Sequence, residues 1–244
     1  MSVLYIEPFS GLSGDMLLSA LCSLTDSWEE ITRLPENLHL PDGKVTVHSV
    51  SVNGIVCNHV KITDLNTEQH SPGTHLLQHS HHHHPHRHLK DILTIIEKGH
   101  ITDGAKSIAK AIFTLIGESE ARVHNIPLEK IHFHEVSAVD SILDIVGCAV
   151  MIDKLKVTKT YADAVCTGFG MVKTQHGILP VPAPATADLL KGMPVYKGDE
   201  EGEKVTPTGA AVLKYLKPDF QPQIFSVEKI AYGRGKKGFA IPMW

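Results

Sequence analysis

Apolar positions change their spacing several times along the chain, and each change predicts an element. Val3 to Ile6 is a continuous apolar run, suited to a strand covered on both faces, and it stops at Glu7-Pro8 before the turn-rich SGLSGD. Helix formers from Met16 to Leu24 follow, with Ser13 or Asp15 available as cap, and a second helical piece spans about Asp26 to Leu34. Residues 44–62 alternate as KVTVHSVSVNGIVCNHVKI around Asn53-Gly54, the strongest hairpin signal in the chain. From 63 to 88 the periodicity is lost and the composition turns polar and histidine-rich, which predicts a mobile loop. Helical spacing resumes from Leu89 to Lys98 and from Thr102 to about Val123, where Ala105, Ile108, Ala109, Ile112, Leu115 and Ile116 recur. The last third is shorter-ranged, with strand-like segments near 160–166, 170–173 and 224–231 and helices at 183–191 and 207–216. Strands and helices mixed without strict βαβ alternation predict an α/β domain, or an α+β one, with a mixed sheet and packed helices.

Between these lies KIHFHEVSAVDSILDIVG, residues 130–147, which predicts a helix from about Glu135 to Leu155 that is apolar almost all the way round. Such a helix is buried, with Val136, Val139, Leu143, Val146 and Val150 forming an apolar stripe. Asp140 and Asp144, one turn apart, share a face. Burying them without compensation costs several kcal/mol each, so a cation, a basic side chain or a polar substrate must answer them. His132 and His134 lie in an extended approach and point to the same side, and Glu135 sits where the helix dipole favours a carboxylate. Imidazole with carboxylate suits a borderline divalent metal such as zinc, nickel or manganese. A helix cap plus a buried salt bridge to a distant lysine or arginine explains the same residues.

Composition narrows the classes. The 244 residues, 42% of them hydrophobic, suffice for one large domain or two small ones. A formal charge of −4 without any basic stripe argues against nucleic acid as a general partner. No apolar stretch is long enough to span a bilayer, and MSVLYIEPFS lacks the basic leader and cleavage site of a secretory signal. Cys22, Cys57, Cys148 and Cys166 are widely separated, which predicts free thiols in a reducing cytoplasm.

The outlier is the count of 17 histidines. His79, His81, His82, His83, His84, His86 and His88 form an internal tract, with His70 and His75 before it, that binds nickel, copper or zinc on a flexible segment. A solvated linker is the bland alternative.

Three further segments carry polar groups at element starts. Ser10-Gly11-Leu12-Ser13-Gly14-Asp15 lies between a buried strand and a helix, where free backbone amides hold anions, although it lacks the lysine and glycine spacing of a Walker loop. A glycine-rich turn closed by an ordinary helix cap is the favoured explanation, and Asp15 would repel a phosphate unless it bound a bridging cation or pointed elsewhere. TQHGILPVPAPATADLL puts His176-Gly177 in a turn ahead of a stiffened strand and a helix opened by Pro184, and VTPTGAAVL sets Thr206 and Thr208 around Pro207 before another helix. Gly233, Gly235 and Gly238 match a dinucleotide fingerprint only literally, since no helix follows.

Taken in order, FSGLSGDM, KIHFHEVSAVDSILDIVG, HGILPVPAPATADLLKG, EKVTPTGAAVL and AYGRG resemble the nickel insertases of the nickel-pincer cofactor pathway, the LarC family, over essentially the whole chain. The resemblance implies a cytoplasmic, CTP-dependent nickel chelatase of the lyase type. Its implied reaction inserts nickel into pyridinium-3,5-bisthiocarboxylic acid mononucleotide to make the cofactor of lactate racemase, with the histidine-rich loop handling nickel. Family members continue past the YGxG block into a second domain that carries CTP and its divalent metal. The resemblance therefore reads 1–244 as the N-terminal domain, partnered in cis or trans by the C-terminal half. AYGRGKKGFAIPMW departs from the family's acidic-aromatic continuation.

Forming a nickel–carbon bond on the pyridinium ring requires a proton to leave that carbon, and His132, His134 and Asp140 are the candidate bases. Ser10, Gly11, Ser13, Gly14 and Asp15, with His176, are the candidates for holding the mononucleotide, and Glu135 and Asp144 join the tract as metal ligands. Two other readings compete: a non-catalytic nickel or zinc store acting through the tract, and a metal-dependent hydrolase built on HFHE with Asp140 and Asp144. A homo-oligomer is left open.

Overall fold

The computed structural model describes residues 2–52, 54–68, 87–133, 136–221 and 224–235. In chain order its helices are α1 (Gly14–Thr25), α2 (Trp28–Thr32), α3 (Leu34–Asn37), α4 (Leu65–Glu68), α5 (Leu89–Lys98), α6 (Asp103–His124), α7 (Val139–Leu155), α8 (Pro184–Leu189) and α9 (Pro207–Leu216). Its strands are β1 (Ser2–Ile6), β2 (Gly43–Val52), β3 (Ile55–Asp64), β4 (Val157–Ala162), β5 (Val165–Cys166), β6 (Gly168–Phe169), β7 (Met171–Thr174), β8 (Gly177–Pro180), β9 (Val195–Tyr196) and β10 (Gly202–Glu203).

The predicted mixed α/β class holds, but the mixture is distributed. Parallel pairs β1–β4 and β5–β9 and antiparallel pairs β2–β3, β6–β10 and β7–β8 each form a two-stranded sheet rather than parts of one large sheet. Helices supply the interior. α7 packs against α1, α6 and α9 and against β3, and its residues from Ile142 to Ile152 are buried without a break. All five positions of the predicted stripe, Val136, Val139, Leu143, Val146 and Val150, lie in the core. α6 presents Ile112, Phe113 and Ile116 to the same core, opened by Thr102, whose hydroxyl accepts from the Ala105 amide at 3.1 Å, and closed by Asn125 in the left-handed region.

Four expectations change. β1 pairs on one side with β4, and Val3 is 63% exposed, so this strand is not covered on both faces. β3 and α4 carry regular structure to Glu68, beyond the predicted loop start at 63, and Arg87 is already tied to the core side; residues 69–86, including His79 to His86, lie outside the described residues. α7 begins at Val139 rather than Glu135, because Ala138 is extended and serves as the N-cap. Residues 224–231 form no strand: Ile224, Phe225, Val227 and Ile230 alternate in part but stay exposed, even though the Phe225 ring lies 4.7 Å from that of Tyr5 on β1.

Candidate functional site

The turn SGLSGD and the segment KVTPTG, far apart in sequence, run side by side. Leu12 and Val205 form a parallel bridge, the Leu12 amide donates to the Lys204 carbonyl at 2.8 Å, and the Thr206 amide donates to the Leu12 carbonyl at 3.0 Å. Gly11 permits this approach. Its φ is +114°, and a Cβ there would lie 2.2 Å from the Lys204 carbonyl oxygen. The first turns of α1 and α9 are thereby brought together, and the Gly14 amide donates to Thr208 Oγ1 at 3.3 Å. Thr206 and Thr208 both act here: Thr206 Oγ1 accepts from the Gly209 amide as N-cap and lies 2.8 Å from Thr208 Oγ1.

Helix α7 closes the third side. A Cβ on Gly14 would meet Asp144 Cβ at 2.9 Å and Asp144 Oδ2 at 3.1 Å, with Thr208 Oγ1 also at 3.1 Å, so only a glycine admits the Asp144 carboxylate beside the α1 terminus. One turn further along α7, Cys148 donates to the Gly14 carbonyl at 3.6 Å. Asp144 is 7% exposed and lies beside the start of α1, whose positive end favours negative charge.

Asp15, also buried, turns back onto its own helix. Its Oδ1 accepts from the Met16 amide at 3.0 Å and from the Ser13 hydroxyl, so Ser13, although the N-cap residue, does not cap with its side chain. Ser10 is 1% exposed, and its hydroxyl has no hydrogen-bond partner among the described residues. Burial pushes the Cys148 thiol well above its ordinary value, and the nearby Asp144 carboxylate, Cys22 and Asp15 push the same way. On the other flank His59 donates from Nδ1 to the Arg234 carbonyl at 2.9 Å. Burial lowers the His59 pKa from the ordinary 6.5, against the opposing pull of that hydrogen bond and of Asp15.

At the opposite end of the approach to α7, His132 forms an isolated antiparallel bridge with His88, their ring centroids 4.0 Å apart. Arg87 donates from Nη1 to the Ser137 carbonyl at 2.8 Å and pairs with Asp42 at 3.4 Å. Asp140, partly buried, stands between this corner and Asp144, its Oδ1 accepting from the Ser141 amide at 2.9 Å.

The predicted residues therefore divide. Ser10, Gly11, Ser13, Gly14, Asp15 and Asp144 meet at one junction, Asp140 stands one turn away, and His132 joins His88 at the next corner. His176 is elsewhere, exposed on the β7–β8 turn with its ring 4.9 Å from that of His124. His134 and Glu135 lie outside the described residues, and among the described residues no group of three or more His, Cys, Asp or Glu side chains is placed to hold a metal ion. Buried Lys204, paired with Glu200 at 2.9 Å, and His59 were not foreseen. EKVTPTG gave the only cue for Lys204, its position just ahead of the threonines.

The AYGRG block reaches the same helix. Gly233 bridges Asn58 in parallel and presses on α1, where a Cβ would lie 1.8 Å from the Met16 carbonyl oxygen. Four of the five sequence blocks thus surround the first turns of α1, and the fifth packs on α6 through α8, whose Ala185 carbonyl accepts from Ser119 Oγ at 2.9 Å. A mixed α/β protein whose polar residues gather where two helix starts meet a carboxylate-bearing core helix is the class defined here. The family described as nickel insertion protein matches residues 4–243, and the chain belongs to it.

Proteins named pyridinium-3,5-bisthiocarboxylic acid mononucleotide nickel insertion protein are similar throughout. That of Thermotoga sp. strain RQ2 is 39% identical over 244 residues, covering 99% of this chain and 60% of the relative. That of Desulfitobacterium hafniense strain DCB-2 is 40% identical over 243 residues, covering 99% of this chain and 56% of the relative. That of Acetivibrio thermocellus is 40% identical over 240 residues, covering 97% and 57%. The chain thus spans less than two thirds of the length of these curated relatives. No solved structure matches it. Among the described residues no helix is long and apolar enough to cross a membrane.

Proposed function

We propose that this chain provides the substrate-binding part of a cytoplasmic, CTP-dependent nickel insertase that metallates pyridinium-3,5-bisthiocarboxylic acid mononucleotide to give the nickel-pincer cofactor of lactate racemase. The observation that carries the reading is the convergence of four separated family blocks on the start of α1, at Gly14, Asp144 and Thr208. Two helix N-termini and threonine hydroxyls suit an anionic mononucleotide, and Asp15, engaged with its own first turn, does not stand in the way of one.

Nickel is substrate here. Its attachment to the pyridinium carbon needs a base to remove that carbon's proton, and His132, His134 and Asp140, on the approach to α7 and its first turn, are assigned to this step with Glu135 and Asp144 toward the metal. His176, on the hairpin turn, is assigned to substrate contact at the rim. CTP and its divalent cation are assigned to a C-terminal half, supplied in cis or in trans.

Insertion is to be assayed with this chain alone, with a separately produced C-terminal half of a relative, and with both plus CTP. Product is expected only in the last mixture. In that mixture Asp140→Asn and His134→Gln should each reduce the rate at least about 100-fold, the usual reach of general-base catalysis, while circular dichroism stays unchanged. Full activity in both variants would overturn the residue roles.

A further inference from the structure

We infer that His88 and His132 together form a divalent-metal site at the head of α7, built on a cross-strand pair of imidazoles. Its metal is assigned as nickel only through the nickel-insertion reading, whereas the site itself rests on geometry. The two residues oppose each other in an antiparallel bridge, which sets both side chains on one side of the backbone, and the rings already touch at 4.0 Å between centroids and 48° between planes. Small rotations about χ1 and χ2 turn one nitrogen of each ring toward a shared ion.

Both backbones are fixed before any metal arrives. Ile131 and Phe133, on either side of His132, are 2% and 1% exposed, so alternation directs His132 outward. His88 is held from both flanks: Arg87 donates to the Ser137 carbonyl, and the His88 amide donates to Asp91 Oδ2 at 3.0 Å. Little conformational freedom remains to be lost on binding. His132 is exposed and His88 half-exposed, so an ion reaches them from solvent.

Imidazole nitrogen is a suitable donor for nickel, and with two protein ligands the remaining positions stay with water. Such a site surrenders its ion readily to a partner offering more ligands, and His132 serves as a base only after the ion has left it. The chain direction supplies the next station, since α7 leads from this corner through Asp140 to Asp144, about 6 Å further along the axis.

The test uses the full chain with the histidines at 70, 75, 79, 81–84 and 86 replaced by glutamine. Nickel binding is followed by calorimetry, and copper(II) serves as a spin probe that counts coordinated nitrogens. One site with two imidazole nitrogens is expected, weakened at least about tenfold by either His88→Gln or His132→Gln and unchanged by His124→Gln at the His124–His176 ring pair or by His39→Gln at the His39–His100 ring pair. Equal nickel affinity in parent and His88→Gln, or no binding in the parent, would overturn the site. In the complete insertion assay, with the native tract restored, His88→Gln should raise the nickel concentration for half-maximal rate at least about fivefold and leave the maximal rate alone. An unchanged nickel requirement would contradict a role on the nickel path. Absence of insertion in every mixture would remove the function reading and leave the binding result standing.

Discussion

At the scale of single residues, the junction is built by what glycine leaves out. Gly11 and Gly14 differ in a way that stability measurements can separate. At Gly11 the added methyl of alanine meets backbone, 2.2 Å from the Lys204 carbonyl oxygen, at a φ that L-residues rarely adopt. At Gly14 the backbone is helical and the neighbours are side chains, with Asp144 Cβ at 2.9 Å. Gly11→Ala should therefore cost more than about 2 kcal/mol and Gly14→Ala about 1 kcal/mol, with urea midpoints in that order.

Burial pushes the Cys22 thiol up to about 12, and Cys148 is shifted the same way, so alkylation near pH 8 should label neither until denaturant is added. The sequence displayed Asp140, Asp144 and the Ser10–Asp15 turn because each breaks a local pattern. It hid the Gly14–Thr208 contact, between residues 194 positions apart, and the pairing of Lys204 with Leu12, since neither leaves a periodic trace.

Among the elements, α8 is held by charge more than by its length. Asp188 accepts from Arg122 Nε at 3.0 Å and Nη2 at 2.7 Å and from Lys191 at 2.6 Å. Burial would raise its pKa, but the hydrogen bonds from Arg122, Lys191 and Ser119 outweigh that and hold it well below the ordinary 3.8. A carboxylate depressed in the fold stabilises above its unfolded value and loses that contribution as the pH falls through the folded one. Asp188→Asn should then lower stability by about 1–2 kcal/mol at neutral pH, discounted because Arg122 is half-exposed, and the difference between variant and parent in urea should shrink below about pH 3.

Elements with their own periodicity were legible to within a residue or two: the hairpin around Gly54, α5, α6 and α9. The segment 224–231 was not, because alternation states only that one face could be buried, and among the described residues the segment joins no strand, although Phe225 meets Tyr5 of β1. The start of α7 was misjudged for a related reason. Val136 is buried in the loop, so hydrophobicity alone extended the helix backward past its cap.

Across the whole molecule, α7 is the common wall, touching α1, α6, α9 and β3, with Asp140 and Asp144 along it, the Ser10–Asp15 turn against its side and His132 ahead of its start. Fold class followed from the mixture of periods, whereas the division into two-stranded sheets did not, since pairing partners such as β1 and β4 are separated by most of the chain. The bridge between Leu12 and Val205 carries a consequence for how the protein is made. Loop closure over so long a stretch is slow to find, and during translation the first half of that contact waits for the second. A ribosome-bound chain released only as far as Gly192 should yield to protease at residues 8–15 while the β2–β3 hairpin resists, and resistance should appear once α9 has emerged. Assembly of the junction is in this sense a timer: until α9 has left the ribosome, the start of α1 has no partner to close against.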